Sequence, residues 1–254
     1  MIPPTSIDGT DITGATIDGT DVQEITVDGD VVFSAGLNLS PNLKHYWTFD
    51  DADVSGNTVF DTVGNIDGTI SGGVTTGVAG ELGEAFIMDG ENDGEVNFGS
   101  IPICESATEF TLSIFVKNAT PAADWDRSNG NIFGDFRDFN DAIYMGLLDD
   151  NTVFTNVERS GTRTSLNTND SLNLNTFQHY VLVWDAPTAE TYLNGNSIGA
   201  NNGPSQTMSS TDFYIAYRTG RNYHTNVTVD EARIYDKALT STEVNNLKNT
   251  GSIL

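Results

Sequence analysis

The sequence predicts an all-β protein: a two-sheet antiparallel jelly-roll sandwich with one short C-terminal helix, preceded by a small N-terminal segment of β-repeats. Three observations predict it. Many short runs have alternating or fully apolar faces, Asp-Gly, Asn-Gly and Gly-Gly turns punctuate them, and helical periodicity is almost absent before residue 240. At 254 residues the chain is long enough for one ordinary domain plus a small appendage.

The appendage comes first. Ile7-Asp8-Gly9, Ile17-Asp18-Gly19 and Val27-Asp28-Gly29 form a three-fold repeat with a ten-residue period. Asp-Gly between β-branched residues predicts hairpins, because such turns need positive φ and glycine supplies it. So few apolar side chains cannot bury a core, since chains below about 40 residues usually need disulfides, metals or partners. Residues 1–36 are therefore expected to be an anchoring segment that associates with other chains through Ile7, Ile17, Val27 and Phe33. Small residues at Ser34-Ala35-Gly36 and a proline at Pro41 interrupt the strand pattern, so the sandwich is expected over 37–254.

Within it, strands are expected at Leu43 to Phe49, Ala85 to Met88, Phe110 to Val116, Ile143 to Leu148, His179 to Trp184, Glu190 to Leu193, Phe213 to Ala216 and Val229 to Tyr235. Thr240-Ser241-Thr242-Glu243 is a capping box, and it predicts a short helix that buries Val244 and Leu247 and stops near Gly251.

Composition narrows the function. Thirty-six Asp and Glu face 11 Lys and Arg, a net charge of -25, which repels phosphate backbones and anionic lipid alike. Nucleic acid and membrane are thus not expected partners. The acids are scattered singly through a chain that is 37% hydrophobic, which describes a folded domain with an acidic skin. Concentrated salt screens such self-repulsion, so a halophilic source is expected. Cys104 stands alone, which leaves no disulfide framework, and the first residues lack a signal-peptide pattern, so a soluble chain not exported by that route is expected.

Leu43 to Asp50 (LKHYWTFD) resembles the first strand of laminin-G-like, concanavalin A-like and pentraxin-like jelly rolls, and Asp61 to Thr69 (DTVGNIDGT) resembles the loop that follows it. Gly80 to Gly90 (GELGEAFIMDG), Phe177 to Val181 (FQHYV), Thr191 to Gly195 (TYLNG) and Val229 to Leu239 (VDEARIYDKAL) resemble further pieces of that family, in the right order over residues 41 to 250. Phe177 departs from the tryptophan usual in its strand. The N-terminal repeat resembles leader segments of tail and spike proteins of tailed viruses.

The resemblance implies a structural Ca2+ that ties early loops to the closing strand, carried onto Asp50 and Asp230 with Asp67 and Asp89 as further ligands. Hard oxygen ligands suit that ion. No catalytic residue is expected. The paired-carboxylate spelling of glucanases on this fold, the Gly-x-Ser-x-Gly elbow and zinc-type His or Cys spacing are all absent from the sequence. His45 and His179 read as packing residues. Sugar binding needs aromatic faces and polar groups on rim loops, and Trp125 to Asp138 with Tyr144, and Tyr217 to His224, supply both. The glycan-binding candidates are Trp125, Arg137, Tyr144, Tyr217, Arg218, Arg221 and Tyr223. Arg218 and Arg221 could serve acidic sugars, a neighbouring subunit or local salt bridges. Asn38, Asn118, Asn169 and Asn226 sit in Asn-x-Ser/Thr sequons.

Together these features predict a non-enzymatic attachment protein at the virion surface (capsid turret, spike or tail fibre) of a virus of a halophilic archaeon. It is expected to be a homo-oligomer, joined to other virion proteins by its N-terminal segment and bound to a host-surface glycan or glycoprotein. The alternatives are an extracellular carbohydrate-binding or adhesion module of a halophile and, last, a glycoside hydrolase.

Overall fold

The computed structural model describes residues 40–118, 130–136, 141–148, 150–207, 212–219 and 223–250, together with six strands between residues 6 and 34. Those six form three separate hairpins: β1 (Ser6–Ile7) with β2 (Thr10–Asp11), β3 (Thr16–Ile17) with β4 (Thr20–Asp21), and β5 (Glu24–Val27) with β6 (Asp30–Ser34). Ile7 pairs with Thr10 and Ile17 with Thr20, so each Asp-Gly dipeptide falls between the two strands, as the ten-residue period predicts. The backbone places Ile7, Ile17, Val27 and Phe33 in these strands; their side chains lie outside the described residues.

The remaining strands build two antiparallel sheets. In chain order they are β7 (Leu43–Trp47), β8 (Val54–Ser55), β9 (Thr58–Val59), β10 (Gly68–Ser71), β11 (Gly73–Ala79), β12 (Glu84–Asp89), β13 (Glu95–Ser100), β14 (Glu109–Lys117), β15 (Gly130–Phe136) and β16 (Ala142–Leu147). They continue with β17 (Thr152–Arg159), β18 (Thr162–Ser171), β19 (Gln178–Asp185), β20 (Thr188–Leu193), β21 (Asn196–Asn202), β22 (Asp212–Ile215), the small pair β23 (Tyr217–Arg218) and β24 (Tyr223–His224), and β25 (Val227–Tyr235). One sheet has nine strands in the order β18-β17-β16-β15-β22-β13-β10-β9-β8; the other runs β11-β12-β25-β14-β19-β20-β21, with β7 also on β25.

Alternation along the strands divides each sheet between core and outer face. Phe110, Leu112, Ile114 and Val116 of β14 point inward, as do Ile143, Met145 and Leu147 of β16. Trp47 lies 4.1 Å from Phe98 between ring centroids and edge-on to Phe133, and Phe133 meets Phe213 edge-on at 5.8 Å, which locks the two layers together. The helix α1 (Ser241–Thr250) covers the outer face of the eight-stranded sheet. Val244 and Leu247 are fully buried there against Val181, Val183, Tyr192 and Tyr235. Its capping box is formed: the Glu243 carboxylate accepts from the Thr240 amide (2.7 Å), and the Glu243 amide donates to the Thr240 hydroxyl (3.3 Å).

The expected first strand ends two residues early. Phe49 has φ +65° and turns the chain out of β7 while its ring stays in the core against Phe86.

Candidate functional site

The outer face of the nine-stranded sheet holds a cavity of about 490 Å3 lined by Ser71, Gly72, Asp93, Glu95, Tyr214, Tyr217 and His224. Its floor follows from strand register. Ser71 of β10 stands opposite Glu95 of β13, and Asn97 opposite Tyr214 of β22, so all four side chains leave the sheet on the side away from Val96 and Phe98. The Ser71 hydroxyl donates to Glu95 Oε1 (3.2 Å), and the Asn97 amide donates to the Tyr214 hydroxyl (3.3 Å). Gly72 closes the floor at φ +67°. A Cβ there would stand 1.9 Å from the Asp93 carbonyl oxygen, so no other residue fits this approach.

The wall is the hairpin β23–β24. Ala216, at φ +62°, turns the chain out of β22, and the Asn131 amide fixes the hairpin by donating to the Tyr217 carbonyl (2.7 Å). Tyr217 and His224 are register partners, and their rings stack at 4.6 Å and 27°. Tyr214 meets Tyr217 edge-on at 5.0 Å. His224 lies between two carboxylates: Nε2 is 2.9 Å from Glu95 Oε2, and Nδ1 is 3.2 Å from Asp93 Oδ1. The Nδ1 approach is near enough for an ion pair but is not aligned as a hydrogen bond, so this nitrogen, buried in a side chain only 6% exposed, makes no hydrogen bond among the described residues. Burial, and after it the charges of Asp212, Glu95 and Asp135, push the Tyr214 hydroxyl above its ordinary range; burial, Glu95 and Asp93 do the same to Tyr217.

This geometry suits recognition. The Ser71 hydroxyl is engaged by Glu95 and not by the imidazole, and both nearby carboxylates are engaged by one histidine. A hydroxyl and an imidazole do meet elsewhere, Ser113 Oγ to His179 Nε2 at 2.8 Å, but both are buried and His179 Nδ1 has no hydrogen-bond partner to orient it. Burial, with Arg233 and Lys248 adding to it, drives the His179 pKa down to about 3.

Of the residues expected to touch a glycan, Trp125, Arg137 and Arg221 lie outside the described residues. Tyr217 lines the cavity. Tyr144 requires a correction: it is 1% exposed, packs edge-on against Phe154 and lies under the Arg218 guanidinium (5.4 Å), so it offers no ring face to a sugar. Arg218 is itself 5% exposed. Tyr223 is the register partner of Arg218, which places it on the hairpin side away from Tyr217 and His224. Glu95, Asp93 and Tyr214 escaped the sequence reading, because Asp93-Gly94 reads only as a turn and Tyr214 only as strand. A larger cavity of about 790 Å3 lies between the β19–β21 outer face and the start of α1, but its single aromatic, Tyr192, is buried.

The four expected calcium ligands do not come together. Asp50 and Asp230 converge on the Gly80–Gly83 turn: Asp50 Oδ1 accepts from the Glu84 amide (2.6 Å) and Asp230 Oδ2 from the Glu81 and Leu82 amides (2.8 and 3.0 Å). A Cβ at Gly83 or Gly80 would stand 2.3 Å from Asp50 Oδ1 or 2.6 Å from Asp230 Oδ2, so this clamp requires both glycines. Asp67 instead accepts from the Asp61 amide (2.9 Å), and Asp89 caps a short turn through Glu91 and Asn92. Among the described residues no group of three or more His, Cys, Asp or Glu is placed to hold a metal. Asp230 Oδ1 is nonetheless buried without a hydrogen-bond partner, and burial, with Glu231 and Asp50 nearby, pushes the Asp230 pKa up to about 7.

Asn118, the first residue of one sequon, is fully buried and donates to Asn151 (2.7 Å). No helix among the described residues is long and apolar enough to cross a membrane.

Two packed antiparallel sheets with a polar, aromatic cavity on one outer face define a jelly-roll domain of the lectin type. The chain belongs to the concanavalin A-like lectin/glucanases superfamily, whose laminin G-type family model matches residues 89–245. No curated protein sequence matches it. Among solved structures it is similar to domain 4 of AbnA, an extracellular arabinanase from Geobacillus stearothermophilus, in complex with arabinotriose (TM-score 0.63, 20% identity, 82% of this chain and 98% of that one). It is also similar to the binding domain of Paraclostridial Mosquitocidal Protein 1 (TM-score 0.66, 15% identity, 84% of this chain and 53% of that one). The third is a structure of botulinum neurotoxin type C whose cell entry depends on interaction with two ganglioside molecules (TM-score 0.64, 15% identity, 85% of this chain and 52% of that one). The chain thus spans about half the length of the two toxin structures.

Proposed function

We propose that this protein is a non-catalytic attachment module that binds a glycan in the cavity walled by Tyr217 and His224. The observation that carries the reading is the half-open Tyr214–Tyr217 pair, backed by the His224 ring, beside hydrogen-bonding carboxylates, which pairs aromatic surface for sugar C–H groups with acceptors for hydroxyls. The arabinotriose complex of the arabinanase domain, matched over 98% of its length, supports it. Titrating the full chain with an oligosaccharide panel tests it: Tyr217→Ala and His224→Ala should each weaken binding at least about tenfold, in line with the ~1–3 kcal/mol carried by one aromatic or charged contact. Binding that both variants leave intact would move the site elsewhere, the larger cavity beside α1 first.

In the finer reading the module is carried outward on a virion of a halophile-infecting virus, and the N-terminal hairpins join it to copies of itself and to other virion proteins. The support is the -25 charge and the three hairpins, each of only two strands. Light scattering in molar salt should give a closed oligomer for the full chain and a folded monomer for a chain lacking residues 1 to 36. Monomers in both cases would favour a secreted adhesion module.

Asp50 and Asp230 are the residues that would hold a structural Ca2+, which would link the Gly80–Gly83 turn to β25. The open, buried Asp230 Oδ1 supports this reading.

A further inference from the structure

We propose that the Tyr217–His224 cavity selects its ligand by charge: it favours sugars bearing a free amine, accepts neutral ones and turns away carboxylated ones. The inference rests on the glycan-binding reading above and deepens it.

Two carboxylates, Asp93 and Glu95, face the cavity, and His224 is its only basic lining residue among those described. Even a protonated imidazole leaves the lining with one net negative charge. The nearest described arginine cannot restore balance, because Arg218 is 5% exposed and lies over Tyr144 on the other side of the hairpin.

The two acids are not equivalent. Glu95 is engaged at both oxygens, Oε1 by the Ser71 hydroxyl and Oε2 by His224. The Asp93 side chain is 74% exposed and approaches His224 through Oδ1 alone, so it is the group that meets a ligand's charge. The half-buried Tyr217 ring, stacked on His224, adds an aromatic surface that attracts an ammonium and not a carboxylate. Asp93 holds a left-handed backbone (φ +56°), which asparagine also tolerates, so Asp93→Asn changes the charge without changing the turn.

The test is an NMR titration of the full chain with glucosamine, glucose and glucuronate and with galactosamine, galactose and galacturonate, at low and at molar salt. In the sugar series that binds, the amine should bind about five- to tenfold more tightly than the neutral sugar, and the acid more weakly by a similar factor. Both gaps should shrink in molar salt. In Asp93→Asn they should fall to about twofold. An acid that binds as well as its neutral parent, above all if Arg221→Ala then removes it, overturns charge selection and leaves glycan binding standing. If none of the six sugars binds, charge selection among these sugars falls, and the oligosaccharide panel decides separately whether the cavity binds a glycan.

Discussion

The outer faces of the two sheets both carry polar side chains where β-strands usually meet solvent, yet they use them in opposite ways. On the eight-stranded sheet, beside α1, the Tyr46 hydroxyl donates to Glu231 (2.6 Å), Arg233 pairs with Glu231 and lies over the Tyr46 ring, and Ser113 meets His179; Arg233, Ser113 and His179 are all at most 1% exposed. On the nine-stranded sheet Asp93, Tyr214 and Tyr217 stay partly open around a cavity, backed by a largely buried His224 side chain. A sealed polar group must find its partner within the fold, because its desolvation cost is otherwise unmet. A half-open group keeps capacity for something outside. The comparison separates architecture from recognition within one sandwich.

The largest effect that can break this comparison is on the sealed side. Arg233→Ala strands Glu231 as a buried, uncompensated charge, so denaturant melts should show a loss of about 3–5 kcal/mol, enough to unfold many domains of this size. The paired change Arg233→Met with Glu231→Gln should recover part of that loss. A loss below about 1 kcal/mol would mean that this face is not architectural.

The next effect is pH-dependent and sharper. His179 stays neutral in the fold down to about pH 3, whereas in the unfolded chain it takes up a proton near 6.5, so its contribution to stability is lost as pH falls through that window. Asp230, with its pKa pushed up to about 7, stays protonated where the unfolded chain has already ionised, so stability is lost as pH rises from about 4 to 7. Between about pH 4 and 6.5 the two slopes oppose. In EDTA, Asp230→Asn should therefore gain stability as pH rises through that range, and His179→Gln should lose it, each by up to about 1.4 kcal/mol per pH unit. Parallel profiles for the two variants would show that neither group is sealed. Asp61 adds to acid sensitivity. Burial raises its pKa, but the His45 bond and the amides of Tyr46, Gly64 and Ile66 outweigh burial and hold it low, so its contribution is lost only as pH falls below the ordinary carboxylate range.

The architecture was more legible in the sequence than the site, and the reason is physical. β14, β19 and β25 announce themselves because apolar residues alternate or run unbroken, and the capping box marks the start of α1. β18 (TRTSLNTNDS) and β21 (NSIGANN) escape, since an edge strand with one packed face needs few apolar residues. The cavity draws on β10, β13, β22 and the β23–β24 hairpin, far apart in sequence, so only register across the sheet places Glu95 beside Ser71 and His224 beside Tyr217. Tyr217 was visible as an aromatic in a polar loop. That Tyr144 would be buried under Arg218 was not, because exposure is a property of what packs over a strand.

The smallest effect on stability is expected at the cavity, and it is the most telling. Tyr217 is half-buried, its ring stacks on the largely buried His224 side chain, and it stands on a hairpin held by bonds to its backbone, including the Asn131 side-chain amide to the Tyr217 carbonyl, that Tyr217→Ala leaves in place. Removing the ring gives up some apolar contact and uncovers the His224 imidazole, a polar group that water can then satisfy. His224→Ala removes a side chain that is only 6% exposed and leaves Oε2 of Glu95, itself 18% exposed, without its partner, so it is the costlier of the two changes, while Asp93 already faces solvent. Tyr217→Ala should melt within about 1 kcal/mol of the parent and His224→Ala should lose about 1–3 kcal/mol, against the larger loss expected for Arg233→Ala, while both lose sugar binding at least about tenfold. A cavity substitution that unfolds the chain would put this face in the same class as the sealed one. The half-open rings would then be part of the scaffold.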